Sequence, residues 1–555
     1  MGQGSVTSKS RPYWKLNPPH DGNTQGIVVS AFTDLPEAMA LFLCFAWPEN
    51  GPGSTRVGKG EWLKNLAGIA PITDADGKEH PAAALAFTFS GLQKIGLPAD
   101  TLATFSQPFR EGMYQEDRLR RLGDRKLDAW EPTVISNGPI WSGNVAVVEP
   151  KAPAVAASNI RAPKEDKEYQ TQTAVTVHAL LLLYGHTEQE TADWADKVQG
   201  TLAADNVQIV RRRRLQLFTD PNTGLTREHF GFADGISQPV PYQADEETGD
   251  KVLVMSDNSP AVRDDVHGVP LGDILMGHVD SHHESAPGPF VATDDPACNS
   301  RLLPGGAPAG FLNLGLNGSY LVVRELRQYV GKFWQSMEEV AAKLRAQDPA
   351  ASHIDADWIA ERIIGRTTDG DMLCPGAPGH LGRDAYGGPE NQFRYRKGDP
   401  DGFGCPMGSH VRRANPRDGL AKNVKSGDTL LDAANYHRIL RRGRKFGPPA
   451  PADRKDDGAE RGLLFMCLNT DIARQFEFVQ QTWLLNSSFA TLFDETDPLV
   501  GPQGRFTIPT DPLRRIANVE TFIQMAGGEY FFLPSMPALD YLAALSSTHP
   551  SEPRS

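Results

Sequence analysis

The chain is poor in cysteine. Its five residues (Cys44, Cys298, Cys374, Cys405 and Cys467) are odd in number, scattered, and include no Cys-x-x-Cys pair. That pattern excludes a disulfide framework and a zinc knuckle, and leaves reduced structural thiols. Long apolar runs are lacking too: stretches such as Ala179–Tyr184 fall far short of the roughly 18 residues that span a bilayer. The opening MGQGSVTSKSRPYWKLNPPH has neither the apolar core of a secretory signal nor a twin-Arg pair, and Val6 breaks the myristoylation pattern. A cytoplasmic protein with no membrane partner is the expectation. Positive charge is also short, with 56 Lys and Arg against 69 Asp and Glu and a net charge of −13. The basic face of a nucleic-acid binder is therefore not expected.

What is there is a long globular chain. Its 555 residues exceed one core of roughly 100–200, and 39% apolar with 23% charged residues is an ordinary folded composition. In the first half, Gly26–Val29 reads as a strand and Leu35–Phe45 as a helix with Pro36 in its first turn. Ala174–Tyr184 reads as a buried strand. Thr187-x-x-Glu190 offers a capping box for a helix through Trp194 and Val198. Val207–Val210 and Leu215–Phe218 resume the strand pattern. The second half repeats this grammar: strand Ser319–Val323, helix Arg324–Leu344, strand Leu463–Leu468, helix Asp471–Leu485, and strand Glu529–Leu533 stopped by Pro534. Two strand–helix–strand units of similar size imply an α+β fold with a duplicated architecture. Pro/Gly-rich loops at 286–310, 382–408 and 447–462 are long enough to be functional or mobile.

Three features invite chemistry and do not support it. Gly53–Lys59 almost matches a phosphate loop, but Gly60 stands where a magnesium-binding hydroxyl is needed. His278, His282, His283 and Glu284 lack a helix to present them on one face, so a solvated loop is the better reading. Arg211–Arg214 alternates across a predicted strand and is expected to pair with acidic neighbours.

Three other strings carry residue types suited to a cofactor. In HFGFADGISQP (229–239), glycines flank Asp234 in an apolar loop, where backbone can approach a ligand and a carboxylate loses hydration. The plain alternative is an aspartate that caps a turn. In GCPMGSHVRRANPR (404–417), His410 sits beside small residues that leave a ring nitrogen accessible to a metal, and the following arginines could meet anions. The plain alternative is a histidine bonded to backbone. In HRILRRGRKFG (437–447), the apolar Ile439-Leu440 pair packs one part inward, while Arg442, Arg444 and Lys445 read as a solvated basic loop.

Together, and in this order, GFADGISQP, CPMGSHVRRANPR and HRILRRG resemble the dye-decolorizing peroxidase family, most of all its longer fungal-like and bacterial branch. Supporting strings run along nearly the whole chain, among them NTQGIVVSAF (23–32), GSYLVVRELRQYVGKFW (318–334) and GGEYFFLP (527–534). The resemblance implies two ferredoxin-like units packed as a dimeric α+β barrel, with haem mainly in the C-terminal unit. It gives an arm at 1–20, an N-terminal unit at 21–260 carrying the GxxDG loop, and a connection at 261–310. A haem-binding unit at 311–545 and a tail at 546–555 complete it. It implies Asp234 as distal acid/base, Arg441 beside it stabilising O–O cleavage, and His410 as proximal ligand of the haem iron. Arg417 and Arg438 would neighbour the haem propionates. Asp471 would accept a hydrogen bond from the His410 ring, with Glu477 as its rival. The implied cofactor is haem b held non-covalently, since no CxxCH string exists. The implied partners are hydrogen peroxide and small aromatic reductants such as phenols and dyes, oxidised through a ferryl state. A carboxylate base predicts activity that peaks at acidic pH. Bulky donors would deliver electrons through surface residues, and Trp141, Trp334 and Trp483 are named by residue type, although core packing suits the last two better. Pro448–Arg461 departs from the family pattern and reads as an extended surface loop particular to this chain, while 262–303 matches the pattern poorly outside GDILMGHVD (272–280); both could alter access to the haem edge. A haem carrier or sensor is the alternative, but it would need only the proximal ligand.

Overall fold

Each half of the chain supplies strands in the spatial order 4-1-3-2, and the two sets join into one ring. In the first half, β1 (Glu37–Phe45), β2 (Ala82–Phe87), β3 (Ala179–Gly185) and β4 (Val207–Gln216) lie as β4-β1-β3-β2. The second half contributes β5 (Ser319–Gln328), the short β6 (Leu440–Arg441) and β7 (Arg444–Phe446), β8 (Gly462–Asn469) and β9 (Ile523–Leu533). These lie as β7-β8-β5-β9, with β6 also on β8, and every pair within a half is antiparallel. Helix α1 (Glu188–Ala204) crosses from β3 to β4, while α2 (Val330–Gln347) and α3 (Ala356–Ile364) lie between β5 and β6. Each half is thus a split βαβ, ferredoxin-like unit. The halves meet along two thin seams, Lys445 against Gln216 and Phe87 against Phe532, which close the α+β barrel.

The computed structural model describes residues 23–47, 59–75, 81–124, 139–143, 175–220, 224–244, 251–253, 266–286, 288–374, 391, 393–510 and 514–545. The arm at 1–20, positions 53–58 of the near-phosphate loop and the tail at 546–555 lie outside the described residues. Among the described residues no helix is long and apolar enough to cross a membrane.

The sequence EAMALFLCF of β1 is apolar on both faces because both faces are buried. Ala38, Ala40 and Phe42 join a cluster drawn from both halves of the ring, including Leu182, Val323, Phe446, Met466 and Phe531. Met39, Leu41, Leu43 and Phe45 turn the other way, onto Trp62, Leu66 and the α1 residues Val198 and Leu202. This corrects the reading of 35–45 as a helix: a continuous apolar run behind a proline fits either element, and only pairing with β3 and β4 decides. Gly26–Val29 is a single helical turn, not a strand. The expected helix from Arg324 begins only at Val330, because β5 runs on to Gln328 between β8 and β9. The expected helix 471–485 is wound as two π-helical stretches, Ala473–Glu477 and Val479–Leu484. Thr187 caps α1 by accepting from the Glu190 N–H at 3.2 Å, but Glu190 reaches back to the N–H of His186, so the reciprocal box is displaced by one residue.

The arginine run on β4 pairs with acids, as its alternation implied. Arg212 meets Asp196 at 2.6 Å and Arg214 meets Glu37 at 3.0 Å on the outer side. Arg211 (2.5 Å) and Arg213 converge on the buried Glu325 of β5, which also accepts from the Trp141 indole at 2.8 Å. Burial alone would push the Glu325 carboxyl up, but the two guanidiniums outweigh it and hold it at about 2. A folded-state value below the unfolded one, roughly 4.3, stabilises the protein fully above that pH and progressively less as pH falls toward 2. Glu325→Gln is therefore expected to cost about 3 kcal/mol in urea unfolding at neutral pH. It should also lose less stability than the parent between roughly pH 4.5 and pH 2.

The proline-rich segment 448–461 is anchored rather than loose. Arg454 lies 3.6 Å from the Trp334 ring centroid, and Arg461 is buried against Asp457.

Candidate active site

The distal string owes its shape to backbone conformation. Gly231 (φ +100°) and Gly235 (φ +77°) are left-handed, a region that side-chain-bearing residues rarely adopt. A Cβ would meet nothing within 4 Å at Gly231 and only the Thr226 hydroxyl, at 3.9 Å, at Gly235. The left-handed turn thus requires glycine at both positions. Asp234 does cap this turn, accepting from the Gly235 N–H through Oδ1 at 2.6 Å. The same oxygen stands 3.9 Å from Nη2 of Arg441, so the structural and chemical readings hold together. Both side chains keep about a third or more of their surface (44% and 34%) although Phe230 and Phe232 beside them are buried. Gln238, at the end of the string, fixes the pair. Its Oε1 accepts from the Arg441 N–H at 3.0 Å and its Nε2 donates to the Arg441 carbonyl at 3.1 Å.

His410 opens the five-residue helix α4 (His410–Ala414). Ser409 ahead of it is buried and donates to the Arg362 carbonyl at 2.5 Å, and Gly365 (φ +101°) lets α3 end against the loop, since a Cβ there would strike Val411 at 2.4 Å. The His410 Nδ1 lies 3.0 Å from Oδ2 of Asp497, whose side chain is fully buried, which leaves Nε2 as the free coordinating nitrogen. Burial works to raise the Asp497 carboxyl, but His410, the Val500 N–H and Arg413 hold it below the ordinary range. The expected partner Asp471 is elsewhere: it accepts from the Arg474 N–H at 2.9 Å and caps the π-helical stretch. Its rival Glu477 is buried against Arg118 and the Tyr530 hydroxyl. Asp497 lies 87 residues beyond His410 in DETDP, where three acids compete and only packing selects one.

The arginines after His410 do not await anions as expected. Arg412 donates to the Cys405 carbonyl at 2.7 Å, and Arg413 to the carbonyls of Trp483 (2.8 Å) and Asn486 (3.0 Å). Arg417, expected at the propionates, stacks on Phe393 and donates to the carbonyls of Asn391 (2.8 Å) and Phe393 (2.7 Å). Such contacts fix the backbone of the proximal string. Arg438 is buried and reaches the Ser237 carbonyl at 3.5 Å, beside the distal loop. Lys445 and Arg444, read as solvated, are buried as well.

One residue missed in the sequence joins the strings. Asn391 donates to the Ile236 carbonyl of the distal loop at 3.0 Å and accepts through Oδ1 from Arg366 (2.8 Å) and Arg417 (3.0 Å). Its carbonyl meets His267 Nε2 at 2.9 Å. Burial lowers His267 well below the usual imidazole range, and the charges of Arg417, Arg438 and Arg366 lower it further. Burial likewise brings Arg366 down to about 10, with Arg441 adding to the effect. No local pattern marks Asn391, Arg366 or His267; packing alone gathers them.

This donor set fits haem. Among the described residues no group of three His, Cys, Asp or Glu could hold a bare metal ion. A single histidine backed by a buried carboxylate suits a metal that brings its other ligands with it. Arg438 and Arg441, beside the distal loop, suit a cofactor carrying acidic groups. Trp141, Trp334 and Trp483 are all buried (0%, 3% and 5% exposed), so none is a surface entry point for electrons.

The fold and site define an α+β barrel protein built around one histidine with a carboxylate–arginine pair. No family model matches the chain. A multifunctional dye peroxidase from Amycolatopsis sp. is 28% identical over 405 residues, covering 67% of this chain and 72% of that protein. A dye-decolorizing peroxidase from Mycena epipterygia is 27% identical over 406 residues, covering 66% of each. Among solved structures, a DyP-type peroxidase from Anabaena sp. matches with a TM-score of 0.64 at 22% identity, over 95% of this chain and 94% of that one. A dye-decolorizing peroxidase in complex with 2,6-dimethoxyphenol matches with a TM-score of 0.63 at 21% identity, over 94% and 99%. The chain is a homologue of the dye-decolorizing peroxidases, bacterial and fungal, which are haem enzymes.

Proposed function

We propose that this chain is a peroxidase that holds haem b non-covalently, reduces hydrogen peroxide and oxidises phenolic or dye-like donors. The observation that carries the reading is the His410–Asp497 pair, in a string that Arg417 and Asn391 tie to the loop bearing Asp234 beside Arg441. Bound haem would supply the iron at which peroxide is reduced. Asp497 accepts the Nδ1–H of His410, fixes its tautomer and raises the basicity of Nε2 as the proximal ligand. With Oδ1 of Asp234 engaged by Gly235, Oδ2 is left to take a proton from peroxide and return it to the departing oxygen. Arg441, pinned at its backbone by Gln238, offers a fixed guanidinium to the charge that develops there. Arg438, buried beside the distal loop, would be the partner of a propionate. Non-covalent attachment is supported by the missing CxxCH string and by the full burial of Cys405. A phenolic donor is supported by the dimethoxyphenol complex of a relative.

Mixing haem-loaded protein with hydrogen peroxide and a phenol or anthraquinone dye tests this. Rapid conversion of the Soret band with catalytic loss of dye is expected. A static spectrum would identify a carrier or sensor instead.

A further inference from the structure

Arg227 stands at the base of the distal loop, on the short hairpin of Phe218–Thr219 and Thr226–Arg227. Every N–H of its guanidinium is engaged. Nη1 donates to the carbonyls of Gly231 at 3.2 Å and Thr368 at 2.7 Å. Nη2 donates to Asp220 at 2.8 Å and Asp369 at 2.7 Å, and Nε donates to Asp220 at 3.1 Å. A guanidinium has five donors, and these five contacts leave none for an incoming anion, so the side chain serves the protein itself. What it joins is the loop of Asp234 and the turn that follows α3. The Thr368 carbonyl that takes Nη1 also accepts the Ala233 N–H at 2.9 Å. Asp234, next in the chain, is held at its backbone by Thr226. Its N–H donates to the Thr226 carbonyl at 2.9 Å, and its carbonyl accepts from the Thr226 hydroxyl at 3.2 Å.

The turn after α3 starts from the proximal string. Gly365 ends α3 against Cys405, Ser409 and Val411, and the Ser409 hydroxyl is bonded to the Arg362 carbonyl. Thr368 follows three residues later. Between them the turn is cross-braced: Arg366 donates to the Gly370 carbonyl at 2.6 Å, and the Thr367 N–H to the Asp371 carbonyl at 2.9 Å. One braced segment thus meets the neighbour of His410 at one end and the neighbour of Asp234 at the other.

We propose that Arg227 is a positioning residue that clamps this segment to the distal loop and so fixes the Asp234 carboxylate relative to the His410 ring. The proposal rests on the reading of Asp234 as the acid/base; Arg227 itself touches no reacting atom. A planar guanidinium can reach two carbonyls and two carboxylates at once. A lysine ammonium keeps the charge for Asp220 and Asp369 but cannot span all four. Placement of an acid/base is exacting, since a shift of about 1 Å can slow a reaction by roughly 10²-fold.

Arg227→Lys is therefore expected to slow the stopped-flow reaction of haem-loaded protein with hydrogen peroxide about tenfold, with haem affinity unchanged by titration. Two further readouts separate a clamp from general loosening. In a double-mutant cycle, Arg227→Lys should slow Asp234→Asn no further, because a residue acting through Asp234 then has nothing left to position. In the haem-free protein, amide hydrogen exchange should quicken about tenfold at Ala233 and Asp234 and stay unchanged across β5 and β8. Wild-type peroxide rates in Arg227→Lys, with Asp234→Asn still slow, would overturn the clamp and leave Asp234 in its role. So would equal slowing in both backgrounds, a matching loss of haem affinity, or exchange that quickens throughout the barrel. Wild-type rates in Asp234→Asn would overturn both readings.

Discussion

Asp234→Asn is expected to keep its haem and to react with hydrogen peroxide roughly 10²–10⁴-fold more slowly than the wild type. The substitution is nearly isosteric. An amide oxygen can still accept the Gly235 N–H, so the turn survives, and the Gln238 clamp on Arg441 does not involve the side chain lost. What disappears is the ability to take a proton and give it back. Stopped-flow mixing at acidic pH reads this directly, and wild-type rates there would remove Asp234 from the role.

Asp497→Asn should weaken haem binding by about 10–100-fold, read by titration of the haem-free protein. The argument is one of tautomers. In the wild type, Oδ1 of Asp497 accepts the N–H groups of Leu499 and Val500, both at 2.9 Å, while Oδ2 faces His410 Nδ1. An asparagine that keeps the two backbone bonds must turn its NH₂ toward His410. Nδ1 then becomes an acceptor, and the ring proton moves to Nε2, the nitrogen required by iron. Asp471→Asn, by contrast, keeps the helix cap, gives up only the ion pair with Arg474, and should bind haem as the wild type does. Equal affinities for wild type and Asp497→Asn would show that the carboxylate does not set the ligand.

Much of this protein was legible in its sequence, for identifiable reasons. The duplicated α+β pattern showed because both halves carry the same element order, and the arginine run on β4 declared its acidic partners through its alternation. His410, Asp234 and Arg441 stand in strings whose order along the chain is distinctive, and the Asp234–Arg441 contact is present. Some elements with both faces buried, such as Ala179–Gly185, were legible, and others were not. The β1 run misleads because an apolar stretch without a polar face carries no period, and the start of α2 because the polar Arg324–Gln328 continues β5 without a strand signal. Residues that act through distant packing were missed as well. Asp497 was mistaken for Asp471 because sequence proximity to a familiar string is no guide to a contact spanning 87 residues. Arg412, Arg413 and Arg417 looked like anion binders, yet buried guanidiniums serve equally well to tie carbonyls together, and these do. Lys445 looked solvated because it belongs to a basic run; the barrel seam buries it.

The central claim is that His410 carries the haem iron. The most direct measurement is the resonance Raman spectrum of reduced, haem-loaded wild type and His410→Ala, with and without added imidazole. The wild type should show an iron–histidine stretch that the variant lacks and that free imidazole restores in the emptied position. An unchanged iron–histidine band in His410→Ala would contradict the account.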